Sequence, residues 1–307
     1  MASGDVEPAL RIAADISLFW WLHSHFGEAG AWFKRLLAVG ERVPPYVRAK
    51  LLLGAGLFSV SVSDHQQAEE WLTEARRIAQ EINAPRIEAW ALFYLMGSEV
   101  SRLNLDAARV YGEQSLRIFQ HAGALIGIGF VTHMQTMCDF LDRWRNNELT
   151  PAVAEDLMSK LEPTVAGARQ LGDRNFLGHA LELLGRLALH AGRIEEAGAH
   201  LSEALTAFNT LGNQALVARM LDHVALLATR ANQPAAAISL LGATTTLRQH
   251  LGVPAMLAEQ FMFDRALDAA RKNLTLDSFK DAWAEGSRMT RDQAVQHAYT
   301  IIKATAD

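Results

Sequence analysis

Two segments of the chain place charged side chains at helical spacing, where they could bind an ionic ligand. His179, Glu182 and Arg186 are three and four residues apart, so one face of a helix would carry all three. Arg219 and Asp222 repeat a basic and an acidic residue about 40 positions later. Arginine guanidinium groups bind carboxylates and phosphates through paired donors. These residues therefore predict a site for an anionic group.

A second group of candidates is apolar and aromatic, and its members recur at the same helical intervals. They are Trp90, Phe93, Gly97, Phe130, His133, Met137 and Phe140. Apolar walls with a few convergent polar groups are typical of a ligand site, and a glycine would leave room beside the rings. Two alternatives stay open. The charged pairs could be solvated helix pairs worth about 0.2–0.5 kcal/mol each, and the aromatic side chains could belong to the core.

Catalytic and metal-binding patterns are weak by comparison. His179 and Glu182 could form an acid/base pair, but no further residue indicates a reacting centre. The histidines lack a short metal-ligand spacing, and Cys138 lies within an apolar helical pattern. The glycine-rich run 123–129 follows no strand, which excludes a dinucleotide fingerprint. We expect no metal and no cofactor, and an enzyme is the third hypothesis.

The elements that must position these residues are helices. Apolar residues recur at three- and four-residue intervals, no useful run alternates with period two, and the prolines fall at segment edges. An alanine recurs about every 40 residues, with one step about nine residues longer near the polar stretch that ends at Pro151. We interpret that excess as a longer loop. The recurring positions are Ala29, Ala68, Ala108, Leu157, Ala197 and Ala237.

These spacings predict an all-α, right-handed solenoid of about six tetratricopeptide-like helix pairs. We assign residues 1–251 to the solenoid and residues 252–307 to a C-terminal helical cap of the same domain. Gly185 marks the tight-packing position of a first helix, so His179, Glu182 and Arg186 fall on its inward stripe. Within the cap, Thr290 and Gln293 predict a capping box, and Gly286 predicts a helix stop.

The chain also resembles a known family. The tail from "LLGATTTLRQHLGVP" through "AWAEG", with Trp32-Phe33 and Leu36-Leu37 near the start, is similar to the tetratricopeptide region of large bacterial LuxR-type regulators. Those regulators join that region to an ATPase and a helix-turn-helix. The resemblance implies a sensor arm in transcription regulation. No phosphate-binding loop and no basic helix-turn-helix occur in the sequence, so the ATP and DNA activities are not carried over.

Composition restricts the partners. The net charge is −5 and basic residues are scattered, so we expect no direct nucleic-acid binding. A single cysteine, a start without a signal-peptide pattern and an apolar run of only about 12 residues predict a cytoplasmic chain outside the membrane. The apolar first pair, with Phe19, Trp20 and Trp21, favours a homodimer.

The leading hypothesis is a non-catalytic ligand-sensing domain. A small amphipathic, anionic molecule would bind in the concave groove, with its apolar body against the aromatic rings and its anion at Arg186 and Arg219. The alternative is a protein-interaction scaffold that holds a partner peptide or helix in the same groove.

Overall fold

The computed structural model describes residues 7–23, 25–39, 43–252 and 257–305. Over these residues the chain forms sixteen α-helices and no β-strand, so the predicted all-α solenoid class is confirmed. Two sequence predictions concern residues outside the described ranges. They are the lack of a signal-peptide pattern, which involves residues 1–6, and the segment edge at Pro254. The helices are α1 (Glu7–Asp15), α2 (Ser17–Leu22), α3 (Phe26–Val39), α4 (Pro45–Ser61), α5 (His65–Glu81), α6 (Pro85–Ser101), α7 (Leu105–His121), α8 (Leu125–Arg145), α9 (Pro151–Leu171), α10 (Arg174–His190), α11 (Ile194–Thr210), α12 (Gln214–Arg230), α13 (Pro234–Leu251), α14 (Leu257–Arg271), α15 (Leu276–Ser287) and α16 (Arg291–Ala304).

The chain divides into two compact units, Met1–Cys138 and Asp139–Asp307, with the boundary inside α8. In the first unit α3 to α7 pack each on the next, and in the second unit α9 to α13 do the same. Helices α14 and α15 pack on α13, and α16 packs on α12. The even-numbered helices α4 to α12 are the first helices of the repeats, and the odd-numbered helices α3 to α13 are the second helices. The predicted division at residue 251 stays a prediction.

Short turns at regular intervals set the repeat. Most helices from α5 to α12 have 17 residues, and one residue in each connection has a left-handed φ, which reverses the chain within a tight turn. Outside the longer α8–α9 pair these residues follow one another at a spacing of about 20, half of the sequence repeat. They are Ser63, Asn83, Leu103 and Gly123 before α8, and Gly172, Gly192, Gly212, Asn232 and Gly252 after α9.

Most of the longer step in the repeat lies in longer helices, and the predicted longer loop accounts for only a small part of it. Helices α8 and α9 have 21 residues each, which is about one additional turn per helix. The added turns lie at the end of α8 and the start of α9, and only residues 146–150 connect them. Trp144 lies on the additional turn of α8.

Helix pairs approach closely where the sequence predicts small residues. A Cβ on Gly185 would lie 2.7 Å from Cγ of Leu201 on the next helix, so only a glycine permits this packing. All six recurring positions of the second helices, Ala29, Ala68, Ala108, Leu157, Ala197 and Ala237, are buried. The repeat alignment is therefore confirmed at the positions on which it was built.

In the C-terminal segment, the Thr290–Gln293 capping box is present at the start of α16. Helix α15 ends at Ser287, one residue beyond the stop predicted at Gly286, but Gly286 itself is buried within the helix and does not form a left-handed cap. A Cβ at this position would overlap the backbone oxygen of Ser239 on α13. The glycine serves the close approach of α15 to α13.

The N-terminal aromatic residues contribute to the packing of the first unit. Trp20 lies edge-on to Phe33 at 6.0 Å between ring centroids, and Trp21 donates a 2.8 Å hydrogen bond to Ser61. Phe19 is 54% exposed. The predicted homodimer stays a prediction.

Candidate functional site

Capping residues position the two charged helices of the second unit. The carboxylate of Asp173 accepts a 3.0 Å hydrogen bond from the Phe176 amide at the start of α10. The Asn213 side chain accepts the equivalent bond from Leu216 at the start of α12. Because each side chain replaces a missing backbone acceptor, it fixes where its helix begins. The charged residues then lie at equivalent positions on two packed helices.

Glu182 on α10 is the centre of a buried charge network. Its side chain is 2% exposed and accepts a 2.6 Å hydrogen bond from Arg219 and a 3.0 Å bond from His223, both on α12. Arg186 lies 3.9 Å away on the same helix. Burial favours the neutral acid, but the Arg219 charge and the hydrogen bond from His223 hold the pKa of Glu182 well below its usual range. The alternative that Glu182 and Arg186 form a solvent-exposed helix pair was wrong, because both side chains are buried.

His179 completes the contact between α10 and α12. Its Nδ1 atom lies 3.0 Å from an Arg219 guanidinium nitrogen, which can only donate, so Nδ1 is the acceptor. Burial lowers the pKa of His179, which keeps the ring neutral and able to accept. The ring also lies edge-on to Phe208 at 5.1 Å.

The predicted pairing within α12 was wrong, since Arg219 and Asp222 each bind a residue from another helix. The Asp222 carboxylate lies 2.8 Å from Arg248 on α13, and burial raises its pKa against the opposing effect of that charge. Arg219 binds Glu182 instead, and it reaches Glu259 on α14 at 3.6 Å. Side chains of packed helices interdigitate, so the buried partner comes from the neighbouring helix.

Phe140 and Arg186 form a buried cation–π contact. Phe140 is fully buried, and the Arg186 guanidinium lies 4.5 Å from its ring centroid. Burial lowers the pKa of Arg186 to about 10, so the side chain stays charged at neutral pH. Phe140 also lies edge-on to His190 at 5.5 Å. Phe140 therefore belongs to the core, which is the second of the two alternatives that the sequence left open for the aromatic residues.

His190 makes the stability of this unit dependent on pH. Burial, and then the charges of Arg230, Arg186 and Arg265, lower its pKa from 6.5 to about 4. The unfolded chain therefore takes up a proton before the folded chain does, and stability falls as the pH drops from about 6.5 toward 4. In urea unfolding between pH 7 and pH 4.5 we expect the native chain to lose about 2 kcal/mol more than His190→Asn. Equal losses in the two proteins would contradict this assignment.

The aromatic candidates meet in the first unit. Trp90 on α6 lies 5.5 Å from Phe93 and 5.9 Å from Phe130 of α8, measured between ring centroids. Phe93 and Phe130 are 5.8 Å apart, and Tyr94 stands 5.9 Å from Trp90. Phe93 is buried, whereas Trp90 and Phe130 are half-buried. The cluster therefore combines a core ring with two rings that reach the surface.

Gly97 lies one turn along α6 from Phe93, and open space surrounds the position that a Cβ would take. It differs in this from Gly56 and Gly185, where the next helix fills that space. The other two candidates of this group on α8 are His133, which is buried, and Met137, which is half-buried.

The structure thus brings ten of the twelve predicted residues into two local groups, one in each unit, while His133 and Met137 lie on α8. The sequence prediction missed Tyr94 in the first and His223, Arg248 and Glu259 in the second. The repeat carried a signal for the second group, because residues about 40 apart, such as His179 and Arg219, occupy adjacent first helices. No group of three metal-ligating side chains arranged to hold an ion occurs in the described ranges, and no helix there is both long and apolar enough to cross a membrane.

Comparison with known proteins identifies the fold. No protein-family model and no curated protein sequence matches the chain. Among solved structures, NprR in complex with its cognate peptide NprX is similar with a TM-score of 0.60, 12% identity, and 99% of this chain and 89% of that chain covered. A Rap protein complexed with competence and sporulation factor gives 0.57, 11%, 97% and 99%. The apo form of RapI gives 0.53, 11%, 86% and 98%. At these identities the likeness establishes a tetratricopeptide-like helical fold.

Proposed function

We propose that this chain is a non-catalytic sensor domain that binds a peptide segment of a partner on the first helices α6 and α8 of its first unit. The observation that carries the proposal is the aromatic cluster of Trp90, Phe93 and Phe130 beside the open space at Gly97. Half-buried rings next to an unfilled position suit an apolar side chain of a peptide. A peptide is also the partner named for NprR, whose fold this chain shares.

The charged group of the second unit supports a peptide more than a small anion. Arg219 already binds Glu182 at 2.6 Å, and Arg186 lies over Phe140 in the core. Both guanidinium groups thus take part in the packing of the second unit. The same internal pairing supports a non-catalytic role, because the charges of Arg219 and Glu182 are already paired with each other.

The resemblance to large LuxR-type regulators suggests where such a sensor would act. We place the chain as the peptide-receiving arm of a cytoplasmic transcription regulator, with the response passed on by an effector module. In this arrangement the chain itself binds protein rather than nucleic acid, in line with its net charge of −5.

Substitution of Gly97 tests the peptide site. Peptides are first selected from a random display library on the immobilised full chain, and their affinities are then measured by titration calorimetry. A leucine at position 97 would fill the open space, so we expect Gly97→Leu to weaken binding at least about tenfold, or about 1.4 kcal/mol. The same change should keep or raise the melting temperature, since glycine inside a helix costs about 1 kcal/mol.

Gly167→Leu is the matched control, because Gly167 also has open space around it but lies on the second helix α9. It should bind the selected peptides as the native chain does. Peptides that bind Gly97→Leu with unchanged affinity would contradict the proposal.

A small amphipathic molecule is the second candidate, favoured by the open space at Gly97 one turn from the rings of Trp90 and Phe93. A thermal-shift measurement with decanoate distinguishes it from a peptide. If no peptide is selected, and decanoate stabilises the native chain but not Gly97→Leu, the small molecule replaces the peptide as the ligand.

A further inference from the structure

Helix α14 lies on the charged first-helix surface of the second unit. It packs against α12 and α13, and its Glu259 and Phe263 line a cavity of about 10 Å³ with residues of α12. That cavity is about the size of one water molecule. The α12 residues are Arg219, Asp222, His223 and Leu226, and the sequence predicts that the first two of them bind a ligand. A segment of the chain itself therefore occupies this surface.

The helix is amphipathic and uses one stripe for the contact. Glu259, Ala266 and Ala270 are buried and Phe263 is half-buried, at intervals of four, three and four residues. The opposite side is exposed and polar, with Gln260, Asp264 and Asp268. This is the pattern by which an amphipathic helix binds a surface groove.

Charge complementarity explains why an acidic helix lies there. Without α14, helices α10, α12 and α13 hold one more arginine than carboxylate in this buried cluster. The arginines are Arg186, Arg219 and Arg248, and the carboxylates are Glu182 and Asp222. Glu259 supplies the third carboxylate, at 3.6 Å from Arg219 and 3.5 Å from Arg248. An excess of one buried positive charge favours an occupant that carries an acidic residue.

The contacts of Glu259 are looser than those within the repeats. Arg219 is 2.6 Å from Glu182, and Arg248 is 2.8 Å from Asp222, so both arginines keep a close partner when α14 leaves. Outside the stripe, α14 is held by Arg265, whose guanidinium lies 5.6 Å from the Trp144 ring on the additional turn of α8. Helices α15 and α16 have their own contacts with α11 to α13, so they do not depend on α14.

We propose that α14 is a displaceable internal occupant of a helix-binding surface, whose external ligand is an amphipathic helix of a partner protein with a carboxylate followed four residues later by an aromatic side chain. The inference rests on the proposed function in that the chain acts by protein binding, but it concerns a different surface. Release of α14 by the partner helix would be the structural response to binding.

The probe is a fluorescein-labelled synthetic peptide with the sequence of residues 257–271, and its binding to the full-length chain is measured by fluorescence anisotropy. In the double variant Glu259→Gln/Phe263→Ala the internal helix is weakened, so the peptide should bind about tenfold or more tightly than it binds the native chain. The control chain Gln260→Ala/Asp264→Asn alters only the exposed side of α14 and should behave as the native chain does. A peptide with the Glu259→Gln change should bind the double variant about tenfold more weakly than the unchanged peptide.

Hydrogen exchange of the native chain provides an independent measurement that needs no variant. The amides of α14 should exchange faster than those of α15 and α16, and excess peptide should accelerate α14 alone. Equal peptide affinity for the native chain and the double variant, or exchange of α14 as slow as that of α15, would overturn the inference and leave α14 as a fixed part of the cap. In that case, peptides whose binding is weakened by Gly97→Leu would still support the proposed function. If α14 is displaced but Gly97→Leu leaves peptide binding unchanged, only the proposed function is refuted.

Discussion

Replacing Glu182 with glutamine should lower the free energy of unfolding by about 3–5 kcal/mol, because it leaves buried arginines without their carboxylate. Glu182 is 2% exposed and receives Arg219 at 2.6 Å and His223 at 3.0 Å. Its low pKa means that the folded state holds it ionised, so the neutral amide removes a charge on which the contact between α10 and α12 depends. Urea unfolding at pH 7 measures the loss.

Glu155→Gln is the matched control for this substitution. Glu155 binds Arg193 at 2.7 Å, but both side chains are exposed to solvent, at 49% and 45%. Exposed ion pairs contribute about 0–1 kcal/mol, so this variant should stay close to the native chain. Equal unfolding free energies for the two variants would show that the network of Glu182 does not stabilise the second unit.

Gly286→Ala should destabilise the chain by about 3 kcal/mol or more, the upper range for overpacking of a core. The added methyl group would overlap the backbone of Ser239, and a backbone atom cannot move aside as a flexible side chain can. Helix α15 would have to shift away from α13, against which it packs. Thermal and urea unfolding both report this loss.

The control for that change is Gly167→Ala in α9, where open space surrounds the added methyl group. Alanine is favoured over glycine inside a helix by about 0.5–1 kcal/mol, so this variant should be as stable as the native chain or more so. A Gly286→Ala protein as stable as Gly167→Ala would mean that α15 does not approach α13 closely in solution.

The sequence predicted the repeat well because local chemistry sets it. Alanines such as Ala68 and Ala197 are small where helices touch, and prolines such as Pro85 and Pro234 begin helices. The Thr290 capping box is likewise a local pattern. Features of this kind depend on residues within one turn or one repeat, so a single sequence contains them.

Contacts between residues on different helices could not be predicted from the sequence. Gly286 has the sequence context of a helix stop, and only the position of Ser239 shows that it serves a close contact. Arg219 and Asp222 look like a pair three residues apart, but their partners are Glu182 and Arg248 on other helices. The role of Glu259 was missed because nothing local places α14 on α12.

Photo-cross-linking of a selected peptide to the full chain tests the central claim most directly. The peptide carries benzoylphenylalanine in place of its apolar anchor residue, and the attachment sites are mapped by mass spectrometry after digestion. We expect attachment on α6 or α8, around Trp90, Gly97 and Phe130. Attachment confined to the second helices α5, α7 or α9, unaffected by Gly97→Leu, would contradict the central claim.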